Sequence, residues 1–258
     1  MVTMYAEERQ QAIARLVNQR GRMSVNQLAR EYAVTTETVR RDLSTLERMG
    51  LVRRVHGGVV PPASLSLIEA GLRERDHVNT QSKERIARAA LDRLPSAGGT
   101  IVLDAGTTTS RLASMLPPEH ALTVVTHAVP IAARLAGQRQ IDLRLLPGRV
   151  RRTTQAAVGA DTVAALSHWR VDVAFVGTNG ITAEHGFTTP DPEEAAVKRA
   201  LIECARHVVA LADASKFGVE TAVRFAVAGE IDVVVTDNDV SAQDRRALTK
   251  AGVEVVMA

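Results

Sequence analysis

The sequence predicts an α/β chain in two parts: a small helical head with a short basic ribbon, then a larger domain built on a mostly parallel sheet. Three observations predict it. Up to residue 60, apolar residues recur at helical spacing in three consecutive segments, and a basic run closed by Gly57-Gly58 follows the third. From about Lys83 onward, short apolar runs alternate with single helical segments, the pattern of strands joined by crossover helices that cover both faces of a sheet. Charge divides at the same place. Residues 1–58 hold ten Arg and no Lys against six Asp or Glu, a net +4, whereas the other 200 residues carry −1. At 258 residues and 45% hydrophobic content, both parts can bury a core. The expected boundaries are a head at 1–60, a linker at 61–80 marked by the breaker cluster Pro61-Pro62-Ala63-Ser64, and the larger domain at 81–258.

The head is read in order. Glu7 to Asn18 forms a first helix, with Ile13, Leu16 and Val17 inward and Gly21 beyond its end. Ser24 opens a second helix, with Gln27 three residues on as in a capping box. After the break Tyr32-Ala33-Val34-Thr35 comes a third, Thr36 to Met49, in which Val39, Leu43 and Leu46 fall at i, i+4 and i+7. Thr35 or Thr36 caps it. Asp42 lies at the edge of the apolar stripe, the position of a structural partner for an arginine. Arg40, Arg41, Ser44 and Arg48 point to the opposite side. Leu51 to Val55, the His56-Gly57-Gly58 turn, and Val59-Val60 form a wing. Thr36, Thr38, Arg40 and Arg41 beside a helix N-terminus, with Arg53, Arg54 and His56 on the wing, suit contact with double-stranded DNA, where arginine pairs with guanine in the major groove. An isolated Arg-Arg pair would more often be a solvated face; here its setting favours DNA.

The run T-x-T-V-R-R-D-L-x-x-L-E-x-x-G-L-V-R-R-V-H-G-G, which begins at Thr36 and ends at Gly58, resembles the head of the DeoR/GlpR family of bacterial transcriptional regulators.

In the larger domain the expected strands are 100–103, 122–125, 141–146, 171–176, 208–212, 231–236 and 253–256. Expected helices are 83–93, 110–116, 129–136, 160–168, 192–206 and 241–251. Ligands of such sheets gather beyond the C-terminal strand ends. The first strand runs into Asp104-Ala105-Gly106-Thr107-Thr108-Thr109-Ser110, either a phosphate cradle at a helix N-terminus or an ordinary Gly-Thr turn with a capping hydroxyl. Other strand ends supply Thr126 and His127, Gly148 and Arg149, Gly177, Thr178, Asn179 and Gly180, and Asp213 and Lys216; Lys198 starts the second turn of a helix. Hydroxyls with lysines and few carboxylates fit a phosphorylated polyol. Lys198 and Lys216 also fit plain surface positions, and His127 is either a phosphate donor at the pocket mouth or an edge residue.

LDAGTTTSRLA, VDVAFVGTNGI, EEAAVKRALI and LADASKFG are similar to the effector domain of the same family, which implies a fold of the sugar-phosphate isomerase-like type and a sugar-phosphate inducer such as fructose 1-phosphate. The matching isomerase segment carries an Asp-Gly-Ala-Asp-Glu run for proton shuttling. Here it reads Val176-Gly177-Thr178-Asn179-Gly180, and the isomerase glutamate before the helix lysine is replaced by Val197 or displaced to Glu194. Neither Thr nor Asn serves as a carboxylate base. Binding without isomerisation is therefore expected, and no enzyme activity. His127, where the family commonly has Asn, and Gly148-Arg149, where it commonly has Gly-Gly, bear on which sugar is bound.

No cofactor or metal is expected, since none of the seven histidines forms H-x-x-x-H or a Cys/His cluster. The single cysteine, Cys204, sits at core spacing after Val197 and Leu201. No run of about eighteen apolar residues and no signal peptide is present, which points to the cytoplasm and away from membranes. The leading expectation is a repressor of a carbohydrate-metabolism operon, a homodimer or homotetramer on operator DNA with a phosphorylated sugar as effector. A sugar-phosphate isomerase with an accessory DNA-binding head, and a regulator without a small ligand, are the competing classes.

Overall fold

The computed structural model describes residues 5–49, 51–55, 58–61 and 71–258. The head consists of α1 (Ala6–Arg20), the short strand β1 (Met23–Ser24), α2 (Val25–Glu31), α3 (Thr36–Arg48), β2 (Arg53–Val55) and β3 (Gly58–Val60). Local chemistry sets its helix starts. The Ser24 hydroxyl accepts from the Gln27 N–H while Gln27 Oε1 accepts from the Ser24 N–H, the reciprocal cap read from the sequence. Thr35, rather than Thr36, caps α3 by accepting from the Thr38 N–H at 3.1 Å. Between α2 and α3 the chain turns through Ala33 at φ 50°. Val39, Leu43 and Leu46 are fully buried against Ile13, Val17, Leu28, Val52 and Val59. The wing is three-stranded, not two-stranded, because β1 pairs with β3. Gly58 permits this close approach, since a Cβ there would overlap the Met23 carbonyl.

Asp42 is buried under α1, where Arg9 reaches it with two guanidinium nitrogens, at 2.7 and 3.2 Å, and Gln10 Nε2 adds a third bond at 2.9 Å. This is the structural partnership expected of Asp42, and it ties α1 to the back of α3.

The segment expected as a linker at 61–80 contains a helix, α4 (Leu72–His77), and α5 (Thr80–Ala90) begins within it. Then follow β4 (Thr100–Leu103), α6 (Thr107–Ser114), β5 (Leu122–Thr126), α7 (Val129–Leu135), β6 (Ile141–Leu145), β7 (Arg149–Arg151), β8 (Ala156–Val158), α8 (Ala160–Leu166), β9 (Val171–Gly177), β10 (Gly180–Thr182) and β11 (Gly186–Thr189). The chain closes with α9 (Pro192–Glu203), β12 (Ala205–Leu211), β13 (Val223–Ala226), β14 (Val233–Thr236), α10 (Ala242–Lys250) and β15 (Glu254–Met257).

Seven strands form one sheet in the order β15-β14-β12-β9-β4-β5-β6, and every pairing within it is parallel. Successive residues alternate between two cores, as a sheet covered on both faces requires. Ile101 and Leu103 pack with residues of α5, α6 and α7, whereas Val102 packs with residues of α8, α9 and α10. Two antiparallel additions did not follow from apolar periodicity: the β7–β8 hairpin, and a sheet of order β10-β11-β13. Both carry ordinary turn residues and short strands that mimic loops in sequence. Among the described residues no helix is long and apolar enough to cross a membrane.

Replacing Asp42 by Ala should lower head stability by roughly 3 kcal/mol, because Arg9 is left partly buried without its counter-charge. Thermal unfolding followed by far-UV circular dichroism measures it; an unchanged head transition would show the ion pair to be dispensable.

Candidate functional site

On the head, α3 presents its outer face to solvent. Arg40 and Arg41 are exposed, and Arg40 makes only a 3.6 Å contact with the exposed Glu37. Thr36 is half-buried, and the Thr38 hydroxyl lies 2.9 Å from that of Thr35. Arg54 crosses back over the helix: its backbone N–H donates to Glu47 and its guanidinium to the Ser44 hydroxyl at 2.9 Å. The wing arginine is thereby held against the face that carries Arg40 and Arg41. Arg53 goes elsewhere, donating to the Gly218 carbonyl of the larger domain. His56 lies outside the described residues.

In the larger domain, strands β12, β9 and β4 are neighbours and parallel, so their C-terminal ends emerge side by side. A cleft of about 50 Å³ lies beyond them. Of the residues singled out from the sequence, Gly106, Thr107, Thr108, Thr109, Gly177, Thr178, Asn179, Lys198, Asp213 and Lys216 line it. The helix bonds of α6 begin at the Ser110 N–H, which donates to the Gly106 carbonyl, so the N–H groups of Thr107, Thr108 and Thr109 precede the first intrahelical partner. Those donors and the positive end of α6 make the turn chemically suited to an anion. By the same measure a single water needs about 10–15 Å³, so the cleft holds a group of phosphoryl size.

Two cationic residues that sequence reading missed complete the lining: Lys83 and Arg75. Neither follows a strand end. Lys83 is buried on α5, and its ammonium donates to the Arg75 and Val78 carbonyls at the end of α4. Its place in line with Ile86, Ala87 and Ala90 on the apolar stripe of α5 was the one signal the sequence offered. Desolvation pulls its pKa down to about 8, partly offset by the Asp213 carboxylate.

Asp104 and His127 lie beneath the cleft rather than in its lining. Asp104 is fully buried, ion-paired with Lys198, 3.0 Å from His127 Nε2, and its other oxygen accepts from the Gly177 N–H at 2.7 Å. Burial alone would raise its pKa, but the Lys198 charge and the His127 hydrogen bond outweigh this and hold it at about 2. Lys198 also donates to the Gly177 carbonyl at 2.9 Å and stands 5.4 Å over the Phe225 ring. His127 is not at a pocket mouth, because the β7–β8 hairpin covers the end of β5: its Nδ1 lies 2.8 Å from the Ala157 carbonyl.

The same hairpin explains the other departures. Gly148, at φ 140°, makes the turn into β7, where a Cβ would overlap Thr162. Arg149 is exposed and paired with Glu193. Thr126 is buried, donating to the Leu103 carbonyl at 2.7 Å and accepting from the Ala128 N–H. Gly180 serves close packing, since a Cβ would overlap the Val219 carbonyl. Glu194, the displaced carboxylate, does border the cleft, but Arg151 and Thr154 hold it. Among the described residues no group of His, Cys, Asp or Glu could hold a metal ion.

The depressed Asp104 pKa gives a testable linkage. Its stabilisation is present above the unfolded value near 4 and is lost as pH falls toward 2, an effect of roughly 2 kcal/mol. Asp104→Asn should abolish that acid dependence and cost about 3–5 kcal/mol at neutral pH, since Lys198 stays buried and unpaired. Urea unfolding across pH checks both, and a parallel pH profile for the variant would refute the assignment.

Comparison with known proteins accords with this geometry. Residues 9–64 match the DeoR-like helix-turn-helix domain and residues 78–238 the DeoR C terminal sensor domain. The chain is 36% identical to "HTH-type transcriptional regulator GlpR" of Haloferax volcanii over 98% of both chains. It is 32% identical to the "Glycerol-3-phosphate regulon repressor" of Escherichia coli K12 over 91% of this chain and 92% of that one. "HTH-type transcriptional repressor GlcR" of Bacillus subtilis is 33% identical, covering 98% and 97%. Among solved structures, "Ribose 5-phosphate isomerase from Plasmodium falciparum" is similar at 14% identity and TM-score 0.38 over 52% of each chain, a distance that says nothing of activity. With the helix-turn-helix, the sensor domain and near full-length relatives that are regulators and not enzymes, the chain belongs to the DeoR family of transcriptional regulators.

Proposed function

We propose that this regulator represses a carbohydrate-metabolism operon as a homodimer or homotetramer on double-stranded operator DNA, and that a phosphorylated sugar, fructose 1-phosphate or a similar compound, controls it. One observation carries the effector reading: Lys83, Lys198 and Lys216 line the same cleft as the N-terminal turn of α6, and that cleft is of phosphoryl size. The phosphoryl group takes the N–H groups of Thr107 to Thr109 and the neighbouring ammonium groups; Asn179 and Asp213 are placed to meet sugar hydroxyls. The exposed face of α3 with Arg40 and Arg41 reads the major groove, and Arg54 meets backbone phosphate. One recognition helix per subunit needs a second subunit to reach useful affinity. The head comprises residues 1–60 and the effector domain 81–258, with 61–80, which holds α4, joining them.

Arg40→Ala or Arg41→Ala should cost about 1–3 kcal/mol on the preferred DNA sequence and much less on scrambled DNA, whereas Arg54→Ala should weaken both alike. Mobility shifts on the two DNAs decide it, and equal losses for Arg40→Ala would refute base reading. Thr108→Asp, which sets a carboxylate in the cradle, should abolish effector binding and leave DNA binding intact. Calorimetry with fructose 1-phosphate and glycerol 3-phosphate is the check; unaltered affinity would remove the cradle from the site. Because an anion favours the protonated Lys83, affinity should weaken as pH rises past about 8. Lys83→Met should lose that dependence, and an identical titration for wild type and variant would exclude Lys83.

A further inference from the structure

The loop from Asp213 to Gly218 has two sides. On one, Asp213 and Lys216 line the cleft. On the other, its backbone carbonyls receive the head: the Arg22 N–H donates to the Ser215 carbonyl, the Arg22 guanidinium to the Phe217 carbonyl at 3.4 Å, and the Arg53 guanidinium to the Gly218 carbonyl. Arg22 is also ion-paired with Asp244 of α10 and is almost fully buried in doing so. The head is thus seated on the outer surface of the loop that forms the cleft.

The loop is tied together as one unit. Phe217 is buried in the sheet core, and the Asp213 carboxylate accepts from the Ser215 N–H, the Ser215 hydroxyl and the Asn79 side chain. Asn79 stands at φ 54°, ψ 37° between α4 and α5. A close-packed segment responds to a new neighbour by shifting between discrete arrangements rather than by yielding locally. A phosphorylated ligand that draws on Lys216 or Asp213 therefore alters the row of carbonyls offered to Arg22 and Arg53. DNA draws on the same residues from the other direction, because a guanidinium donating to Gly218 is withheld from a phosphate.

We propose that this loop is a shared contact surface, holding the effector on its inner side and the DNA-binding head on its outer side. Effector binding and operator binding are coupled through it. This rests on the effector reading given above.

Three full-length proteins test it: wild type, Arg22→Ala and Asp244→Asn. Operator DNA selected from a random-sequence pool is titrated with and without fructose 1-phosphate or glycerol 3-phosphate, and binding of each probe is measured separately by calorimetry. In the wild type the bound probe should change DNA affinity by about 5- to 150-fold, the usual range of such couplings. Both variants should still bind the probe, with an affinity displaced from the wild-type value because the head no longer sits on the loop, and the change in DNA affinity should fall below about twofold. Without probe, Asp244→Asn should bind DNA about two- to fivefold more tightly, because the head is released by loss of a partly exposed ion pair. Variants that bind the probe and keep the wild-type change, or an Asp244→Asn protein with unchanged or weaker DNA affinity, would overturn the coupling while leaving the effector site standing. A wild type that binds neither probe overturns the effector reading, and the coupling with it.

Discussion

A carboxylate cut off from water must find its compensation inside the protein, and at Asp104 that compensation organises the sensor domain. One oxygen meets Lys198 from α9 and the Gly177 N–H from the end of β9, and the other meets His127 from the end of β5. Three chain segments far apart in sequence are thereby fixed to the end of β4. Desolvation of the ion is costly, and only several hydrogen bonds to one group make it tolerable. The same contacts aim the Lys198 ammonium and the Gly177 loop toward the cleft. Removing the charge would therefore disturb the floor of the site before it disturbed any ligand contact.

The head solves a similar problem with Asp42. Its bidentate pairing with Arg9 and its third bond from Gln10 anchor α1 to α3 from behind. Among the described residues, this leaves the opposite face of α3 without ion pairs apart from the loose Arg40–Glu37 contact. A fixed rear and an unengaged front are what a recognition helix needs, since side chains already committed to protein partners are not available to base edges.

Much of this was legible beforehand where the determinants are local. The capping box of Ser24 and Gln27, the Val39-Leu43-Leu46 stripe and the strand 100–103 depend on residues within a turn or two of one another; Asp42 showed only as a carboxylate at the edge of that stripe, its partners Arg9 and Gln10 lying 33 and 32 residues away. The strand-to-helix turn at Gly106 to Thr109 was legible for the same reason: a strand running straight into a helix exposes that helix's first N–H groups. Less local features were misplaced. Thr126, His127, Gly148 and Arg149 sit at strand ends as expected, but the β7–β8 hairpin closes over or diverts them, and its short strands have no periodic signature. Lys83 and Arg75 were missed because they belong to helices before the sheet, and only packing brings them to the far ends of β9 and β12.

By itself the sequence determined the seven strands of the parallel sheet and the helices between them, the segregation of positive charge into the head, and the carboxylate-free Gly177-Thr178-Asn179-Gly180 run at the end of β9. These follow from spacing and residue type, which act over a few positions. The tertiary structure decided which polar residues face the cleft and which are spent beneath it, and it decided that Arg53 turns to the loop at Gly218. Those outcomes depend on strand order and on which segments cover which strand ends, and such long-range pairings leave no mark in any short stretch of chain.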